Sequence, residues 1–371
     1  IWYGLTYSIN GTEILLTIIA FYVSTITVGI GLHRLWSHNT YKTHPWFERI
    51  LMWFAAGTLQ GPILAWASDH AYHHTFTDKE QDPHSPLAYK SKMKGFLWAH
   101  IGWMLFAPKI KKIDRGTLVR LGKKKYLVWQ MKHYWSLAIF MNVVPPIILG
   151  WLFIGGWQGV FGGFLSIGIG RSVQQQVTFC VNSLCHFVGR RRYVNGTARD
   201  IGWFFFALLG ENWHNFHHAF PNDYRNGHKW YHADVHKWII AFKEKIGLAW
   251  DLKRTPAARI QAKVQQTKEV LYSFYSWEEI MQNAERIAEQ ARTRLAELDA
   301  SSKELAAQMK EHLYHLQAYA EDLAHEARRL ALDSKIRKNM LLKATRKLRD
   351  IEIKAQYLEL PICLPKPQVV H

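Results

Sequence analysis

Eight of the twenty histidines fall into three short clusters: His33-Arg-Leu-Trp-Ser-His38, His70-Ala-Tyr-His73-His74 and His214-Asn-Phe-His217-His218. Apolar stretches long enough to enter a bilayer lie between them. This pairing limits the fold severely. Histidine is the commonest protein ligand for a transition metal, and groups that share a metal centre cannot lie a bilayer apart. Every crossing between clusters must therefore return the chain to the face it left. Zinc sites usually close with four ligands, so eight imidazoles in three groups ask for two metal ions.

The apolar pattern can satisfy that limit. Residues 12–32 form a first candidate span of about the 20 residues a transmembrane helix needs, with Glu13 at its outer end. Residues 134–154 form a second, kinked at Pro145-Pro146. Residues 158–181 form a third, which contains Arg171 and Gln174-Gln175-Gln176; at that depth such groups normally face protein or a cavity. Arg171 is as readily a residue pairing within the bundle as one with a direct role. Residues 46–66 also look apolar enough to cross, but a crossing there would separate His33 and His38 from His70, His73 and His74. Gly57, Gln60 and Gly61-Pro62 interrupt the run, so it reads as a helix lying in the interface or capping the site. Residues 201–209 are too short to cross, which keeps His186 and His214 on one side.

The net charge of +18 is concentrated. Lys109, Lys111, Lys112, Arg115, Arg120, Lys123, Lys124, Lys125 and Lys132 share one loop with the single acid Asp114. No nucleic-acid-binding motif accompanies this charge. Beside membrane segments the positive-inside rule accounts for it, with anionic lipid or an anionic substrate group nearby. We expect that face to be cytoplasmic, in a bacterial inner membrane or the endoplasmic reticulum, and no nucleic-acid partner. Three cysteines (Cys180, Cys185, Cys363) form no CxxC pair and no disulfide framework, as suits a reducing compartment. Ile1 in place of Met predicts a trimmed N-terminus.

Composition divides the chain. Residues 1–256 read as a membrane-embedded domain with a cytoplasmic cap, and residues 257–371 as a soluble helical extension rich in Ala, Glu, Lys, Arg and Gln. There Ile280, Ile287, Ala291, Leu295 and Leu298, then Leu305, Met309, Leu313, Leu316 and Leu323, recur at helical spacing. The pattern predicts a coiled coil or helical hairpin ended by Pro361 and Pro365. Ser301-Ser302-Lys303-Glu304 reads as a capping box that restarts a helix. His312, His315 and His325 read as surface residues.

In the second and third clusters the spacing is i, i+3, i+4, which lies within one face of a helix, so each can point three imidazoles inward together. His33 and His38 are about 140° apart on an ordinary α-helix and would approach from different sides, each serving a different metal. Imidazole suits iron, copper, zinc and nickel alike. A site at a membrane face among apolar helices suits a long acyl chain, whose unactivated C–H bonds yield only to oxygen activated on a redox metal; zinc has no redox chemistry.

The clusters with their surroundings (Trp66-Ala-Ser-Asp-His70-Ala-Tyr-His73-His74, Asp82-Pro-His84 and Gly210-Glu-Asn-Trp-His214-Asn-Phe-His217-His218-Ala-Phe-Pro) closely resemble the membrane-bound Δ9 acyl-CoA desaturases. The resemblance runs from about Thr12 to Lys253. It implies an all-α membrane protein: a bundle of four spans, the first of which would precede Ile1, under a cytoplasmic helical cap that holds two iron ions. It implies nine histidine ligands, adding His186 in Val181-Asn182-Ser183-Leu184-Cys185-His186, with Asn182 supporting a metal-bound water. Read alone, His186 is an ordinary buried histidine. The implied reaction uses O2 and external electrons to insert a cis double bond into a long-chain acyl-CoA or other acyl thioester. No haem-binding His-Pro-Gly-Gly motif occurs, so the donor, a cytochrome b5 or a ferredoxin, should be separate. Expected substrate contacts are Trp66, Asp69, Lys109, Lys111, Lys112, Gln175 and Thr178, with Asp69 also a possible partner for a metal-bound histidine.

Two departures bear on the acyl carrier. Animal members have an arginine where this chain has Ser68, and a basic pair where it has Ala107-Pro108. Lys109, Lys111 and Lys112 are placed to compensate. The C-terminal helices lie outside the resemblance and are suited to oligomerisation or partner docking. The alternatives are a related di-iron hydroxylase of lipid, sterol or alkane, and a metal-binding transporter or scaffold. A transporter places its ligands at mid-membrane depth, whereas here they sit at the ends of spans.

Overall fold

The computed structural model describes residues 3, 6–106, 113–272, 275–299, 305–331, 338–358 and 360. It is helical throughout, apart from a two-stranded antiparallel pair, β1 (Lys42–Thr43) and β2 (Ala249–Trp250). The chain divides into two compact units. One comprises residues 1–75, 108–190 and 199–256, and the other residues 76–107, 191–198 and 257–371.

In the first unit, α1 (Gly11–Ile26) starts at a capping box between Asn10 and Glu13 and runs without a break into a π-helical segment, Thr27–Ser37. Helices α2 (Pro45–Gly57) and α3 (Ile63–Phe76) follow. They divide the apolar run of residues 46–66 at Gly61, whose φ of +94° suits glycine, and at Pro62. That run is therefore not one span. Helices α4 (Arg115–Gly122) and α5 (Lys125–Lys132) lead to α6 (Tyr134–Phe153) and α7 (Gly156–Asn182). The short α8 (His214–Ala219) and then α9 (Val235–Lys245) complete the unit. Among the described residues, two helices are long and apolar enough to cross a membrane, Gly11–Ser37 and Tyr134–Phe153. Helix α7 has the length, but its polar residues dilute its apolar character.

Those polar residues have partners. Arg171 donates to the Met141 carbonyl at 2.6 Å and to Asn142 Oδ1 at 2.7 Å, and Asn142 donates to the Gly57 carbonyl at 3.2 Å. Arg171 thus pairs within the bundle, tying α7 to α6, while Asn142 ties α6 to α2. Arg120 of α4 donates to the Trp36 and Ser37 carbonyls at 2.7 and 2.8 Å, satisfying acceptors that the end of a helix leaves open.

Small residues set the helix spacing. A Cβ at Gly150 of α6 would lie 1.9 Å from the Gly159 carbonyl oxygen of α7, and one at Gly170 of α7 would lie 2.3 Å from the Thr17 carbonyl oxygen of α1. Backbones this close are the usual reason for small residues between helices in membranes.

The second unit packs α11 (Trp277–Asp299), α12 (Leu305–Ala331) and α13 (Lys338–Tyr357) around one apolar core, after α10 (Ala257–Tyr272). Ile280, Ile287, Ala291 and Leu295 meet Leu313, Leu316 and Leu323 there, with Leu298 and Met309 at the margin. The expected hairpin is present and gains a third helix, since Ala344, Leu348, Ile351 and Ala355 of α13 join the same core. His325 is exposed, but His312 and His315 are half-buried, and His312 Nε2 lies 2.8 Å from the Ala88 carbonyl. The Ser301–Glu304 box, Pro361, Pro365 and Cys363 fall outside the described residues.

Gly150→Leu should cost about 1–3 kcal/mol through overpacking and lower the thermal midpoint of the detergent-solubilised protein. Gly168→Leu, where an added Cβ meets nothing within 4 Å, should leave it nearly unchanged. Equal midpoints for the two variants would contradict the close α6–α7 packing.

Candidate metal centre

Nine histidines gather into two groups within the first unit: His33, His38, His70, His74 and His217, and His73, His186, His214 and His218. Within each group the potential ligand nitrogens all lie within 4.8 Å of one another. Each HxxHH cluster divides between the groups. On α3, His70 and His74 serve the five-membered group and His73 the four-membered one; on α8, His214 and His218 serve the four-membered group and His217 the five-membered one. One helical turn brings i and i+4 together, and the i+3 residue is offset around the helix far enough to reach the second group. The three imidazoles of a cluster therefore do not converge on one point, as the spacing had suggested.

His33 and His38 depart from expectation too. They share one group, with ring centroids 4.9 Å apart. The reason is the π-helical segment, where the His38 N–H donates to the His33 carbonyl at 3.1 Å. An i→i+5 bond brings residues five apart round to the same face. His186, which sequence alone would leave as a core histidine, lies with its Nε2 2.9 Å from that of His214.

The nitrogen contacts identify what these groups suit. Nε2 atoms meet in a chain, His33–His217 at 3.0 Å, His217–His74 at 2.9 Å, His74–His70 at 3.1 Å and His70–His38 at 2.8 Å. His214 similarly meets both His186 at 2.9 Å and His218 at 3.0 Å. An imidazole nitrogen carries one proton or one lone pair, so no assignment of protons gives every contact along such a chain a good hydrogen bond. A cation at the centre uses all the lone pairs at once. Burial first, and then the neighbouring charges, push His38, His70, His74, His217 and His218 well below the usual histidine range. The rings are thus held neutral, the form that binds metal. The donor set fits two metal ions.

Supporting groups surround the rings. Trp66 stacks on His70, with centroids 5.0 Å apart and planes at 14°, and its Nε1 donates to Gln60 Oε1 at 3.1 Å. Asp200 Oδ1 accepts the backbone N–H groups of Asn215 and Phe216 at 2.8 and 3.3 Å, fixing the start of α8. The Glu211 carboxylate lies 2.7 Å from His33 Nδ1 and 3.1 Å from Arg34 Nη2. Burial opposes the Glu211 charge, but its interactions with His33, Arg34 and His236 outweigh it and hold the carboxyl well below its usual range. Sequence reading missed Glu211, Arg34 and Asp200. Arg34 and Glu211 lie within three residues of cluster histidines, whereas Asp200 lies near none of them, and nothing in the spacing distinguishes such a charge from a solvated one.

The other expected residues are less concentrated. Asn182 ends α7, four positions before His186. Gln175 donates to the Thr58 carbonyl at 2.9 Å, and Thr178 Oγ1 accepts from Gln174 at 2.6 Å. Asp69 is half-buried beside His70. Ser68 Oγ accepts the Asp114 N–H at 2.9 Å, and Asp114 in turn caps α4 through Thr117. Lys109, Lys111 and Lys112 fall outside the described residues, as do Ala107 and Pro108.

The described helices bring nine imidazoles, five buried and four half-buried, into two groups. The sequence model of one family, described as Fatty acid desaturase, matches residues 12–252. The chain is 36% identical over 270 residues to a "Probable acyl-CoA desaturase" of Schizosaccharomyces pombe, a match covering 72% of this chain and 54% of the relative. To "Acyl-CoA desaturase 1" of Saccharomyces cerevisiae it is 34% identical over 243 residues, 65% of this chain and 46% of the relative. To "Delta-9 acyl-lipid desaturase 2" of Arabidopsis thaliana it is 34% identical over 242 residues, 64% of this chain and 73% of the relative. The chain belongs to the fatty acid desaturase family. It spans about half the length of the two yeast relatives, and helices α10–α13 lie beyond the residues that the family model matches.

Asp200→Ala should destabilise the metal-free protein by about 1 kcal/mol, the usual worth of a helix cap, and Asp200→Asn by less. Thermal unfolding measures this, and an unchanged midpoint for the alanine variant would mean that packing alone holds α8.

Proposed function

We propose that this chain is an O2-dependent fatty acyl desaturase that inserts a cis double bond, at Δ9, into a long-chain acyl thioester. The observation that carries the reading is the pair of imidazole groups with neighbouring nitrogens 2.8–3.1 Å apart. Imidazole suits iron, copper, zinc and nickel alike, and two iron ions are our assignment because the proposed reaction needs a redox metal, which zinc is not. When bound, the irons supply the redox chemistry that O2 activation and C–H cleavage require.

In this reading His33, His38, His70, His74 and His217 hold one ion, and His73, His186, His214 and His218 the other, with Asn182 acting through water. Trp66 keeps the plane of His70 fixed and offers its other surface to the acyl chain. Gln175 and Thr178 line the path of that chain, and Asp69, Lys109, Lys111 and Lys112 meet the head group, Asp69 with the alternative role of partner to a metal-bound histidine. Ser68 and the names of the relatives bear on the carrier: the yeast proteins are named for acyl-CoA and the Arabidopsis proteins for acyl lipid. Electrons come from a cytochrome b5 or ferredoxin. Helices Gly11–Ser37, α6 and α7 cross the bilayer, and the metal centre faces the cytoplasm, beside the basic loop. The helices after residue 256 serve oligomerisation or partner docking.

The purified protein should carry about two irons per chain, and cells expressing it should gain cis-monounsaturated fatty acids. His73→Ala and His217→Ala should each lose iron and abolish the new lipid while the protein still inserts. Supplying acyl-CoA and acyl phospholipid separately to the reduced enzyme identifies the carrier. Zinc in place of iron, with no lipid change under iron-replete expression, would overturn the assignment; hydroxylated product would move it to the sister hydroxylases.

A further inference from the structure

Behind His33 lies a fully buried polar network that a ligand set alone does not explain. Glu211 is 6% exposed and Arg34 only 1%. A carboxylate offers about four acceptor positions; at Glu211 three take hydrogen bonds, from Arg34, Asn226 and His236, and His33 Nδ1 closes on the fourth side. Oε2 faces His33 Nδ1 at 2.7 Å and Asn226 Nδ2 at 2.7 Å. Oε1 faces Arg34 Nη2 at 3.1 Å and His236 Nδ1 at 3.0 Å. Arg34 is itself fixed, with Nη1 3.1 Å from both Asp234 Oδ1 and the Tyr224 carbonyl. Burying such charges costs more than their attraction returns unless geometry and hydrogen bonds are complete. Here three hydrogen bonds hold the carboxylate in place, and the fixed carboxylate faces the Nδ1 edge of one imidazole, His33.

The fold also makes room for it. A Cβ at Gly29, one π-helical turn before His33, would lie 2.2 Å from the His236 ring. Glycine at that position lets His236 reach Glu211 across the face of the helix that carries His33. The Nδ1 edge of His33 thus faces the carboxylate at 2.7 Å and its Nε2 edge faces the five-histidine group, 3.0 Å from His217 Nε2; a proton on Nδ1 would leave the Nε2 lone pair free for a metal.

We propose that Glu211, clamped by Arg34, Asn226 and His236, is the positioning residue that fixes the tautomer and direction of His33 and thereby sets the affinity of the five-histidine site alone. This rests on the two-metal reading above. Carboxylates behind metal-bound histidines raise ligand basicity, and their loss typically costs about 10–100-fold in metal affinity. A role confined to holding the fold together would weaken both sites equally; the proposed role weakens one.

The test is chelator-driven iron loss from the detergent-solubilised holoprotein, followed together with its Mössbauer spectrum. Wild type with fewer than about two irons per chain would overturn the two-metal reading itself, whatever Glu211 does. Given two irons, Glu211→Gln should release one of them about 10–100-fold faster and alter the signal of that iron, leaving the other unchanged. Both irons released together, or neither affected, would overturn the role assigned to Glu211. Asn226→Ala removes a single donor from Oε2 and leaves Arg34 and His236 in place. If Glu211→Gln fails to fold, the Asn226→Ala variant decides the matter: selective release of one iron supports the proposal, and wild-type release rejects it.

Discussion

The structure of the first unit depends on an unfavourable contact made favourable from outside. Nine imidazoles are pressed into two groups, with neighbouring ring nitrogens 2.8–3.1 Å apart, and the chain's own hydrogen bonds cannot satisfy every one of those contacts. Most of the surrounding architecture serves to hold them there: stacking from Trp66, the Asp200 cap on α8, the Glu211 carboxylate behind His33 and the closing of α1 by Arg120. Such an arrangement stores an affinity for cations in the fold, because metal binding releases the conflict that folding creates.

The exchange of histidines between α3 and α8 follows from the same constraint. Neither helix builds a site of its own, since each gives two rings to one group and one to the other. The two groups are thus defined by the angle and distance between two helices, which sequence spacing alone does not specify.

Legibility of the sequence followed the range of the interaction. The histidine clusters, the interruption at Gly61-Pro62 and the apolar stripes of the C-terminal helices rest on local periodicity, and the structure has them where the pattern predicts. The joint placement of His33 and His38 was not legible, because a 3.6-residue period was assumed for a segment that winds as a π-helix. Arg34, Glu211 and Asp234 were invisible for a different reason. A buried salt bridge and a solvated charge have the same letters, and only tertiary structure tells them apart. His186 needed the family resemblance, since one histidine after an apolar helix carries no spacing signal. Arg171, in contrast, was read as readily paired within the bundle, and its carbonyl and amide partners come from α6.

The length of α1 has a consequence for whatever substrate the protein takes. From Gly11 to Ile26 at about 1.5 Å per residue it rises roughly 22 Å, and the π-helical turns that carry the chain on to His33, though shorter in rise, bring the total near the hydrocarbon thickness of about 30 Å. With this helix as a span, the histidine groups lie near the lipid headgroups and not among the acyl tails. For the acyl substrate proposed above, a methylene near the middle of the chain must then be lifted out of the oil. Each such group exposed to water would cost about 0.8 kcal/mol, so the passage leading to the histidines has to be as dry as the membrane that the chain leaves.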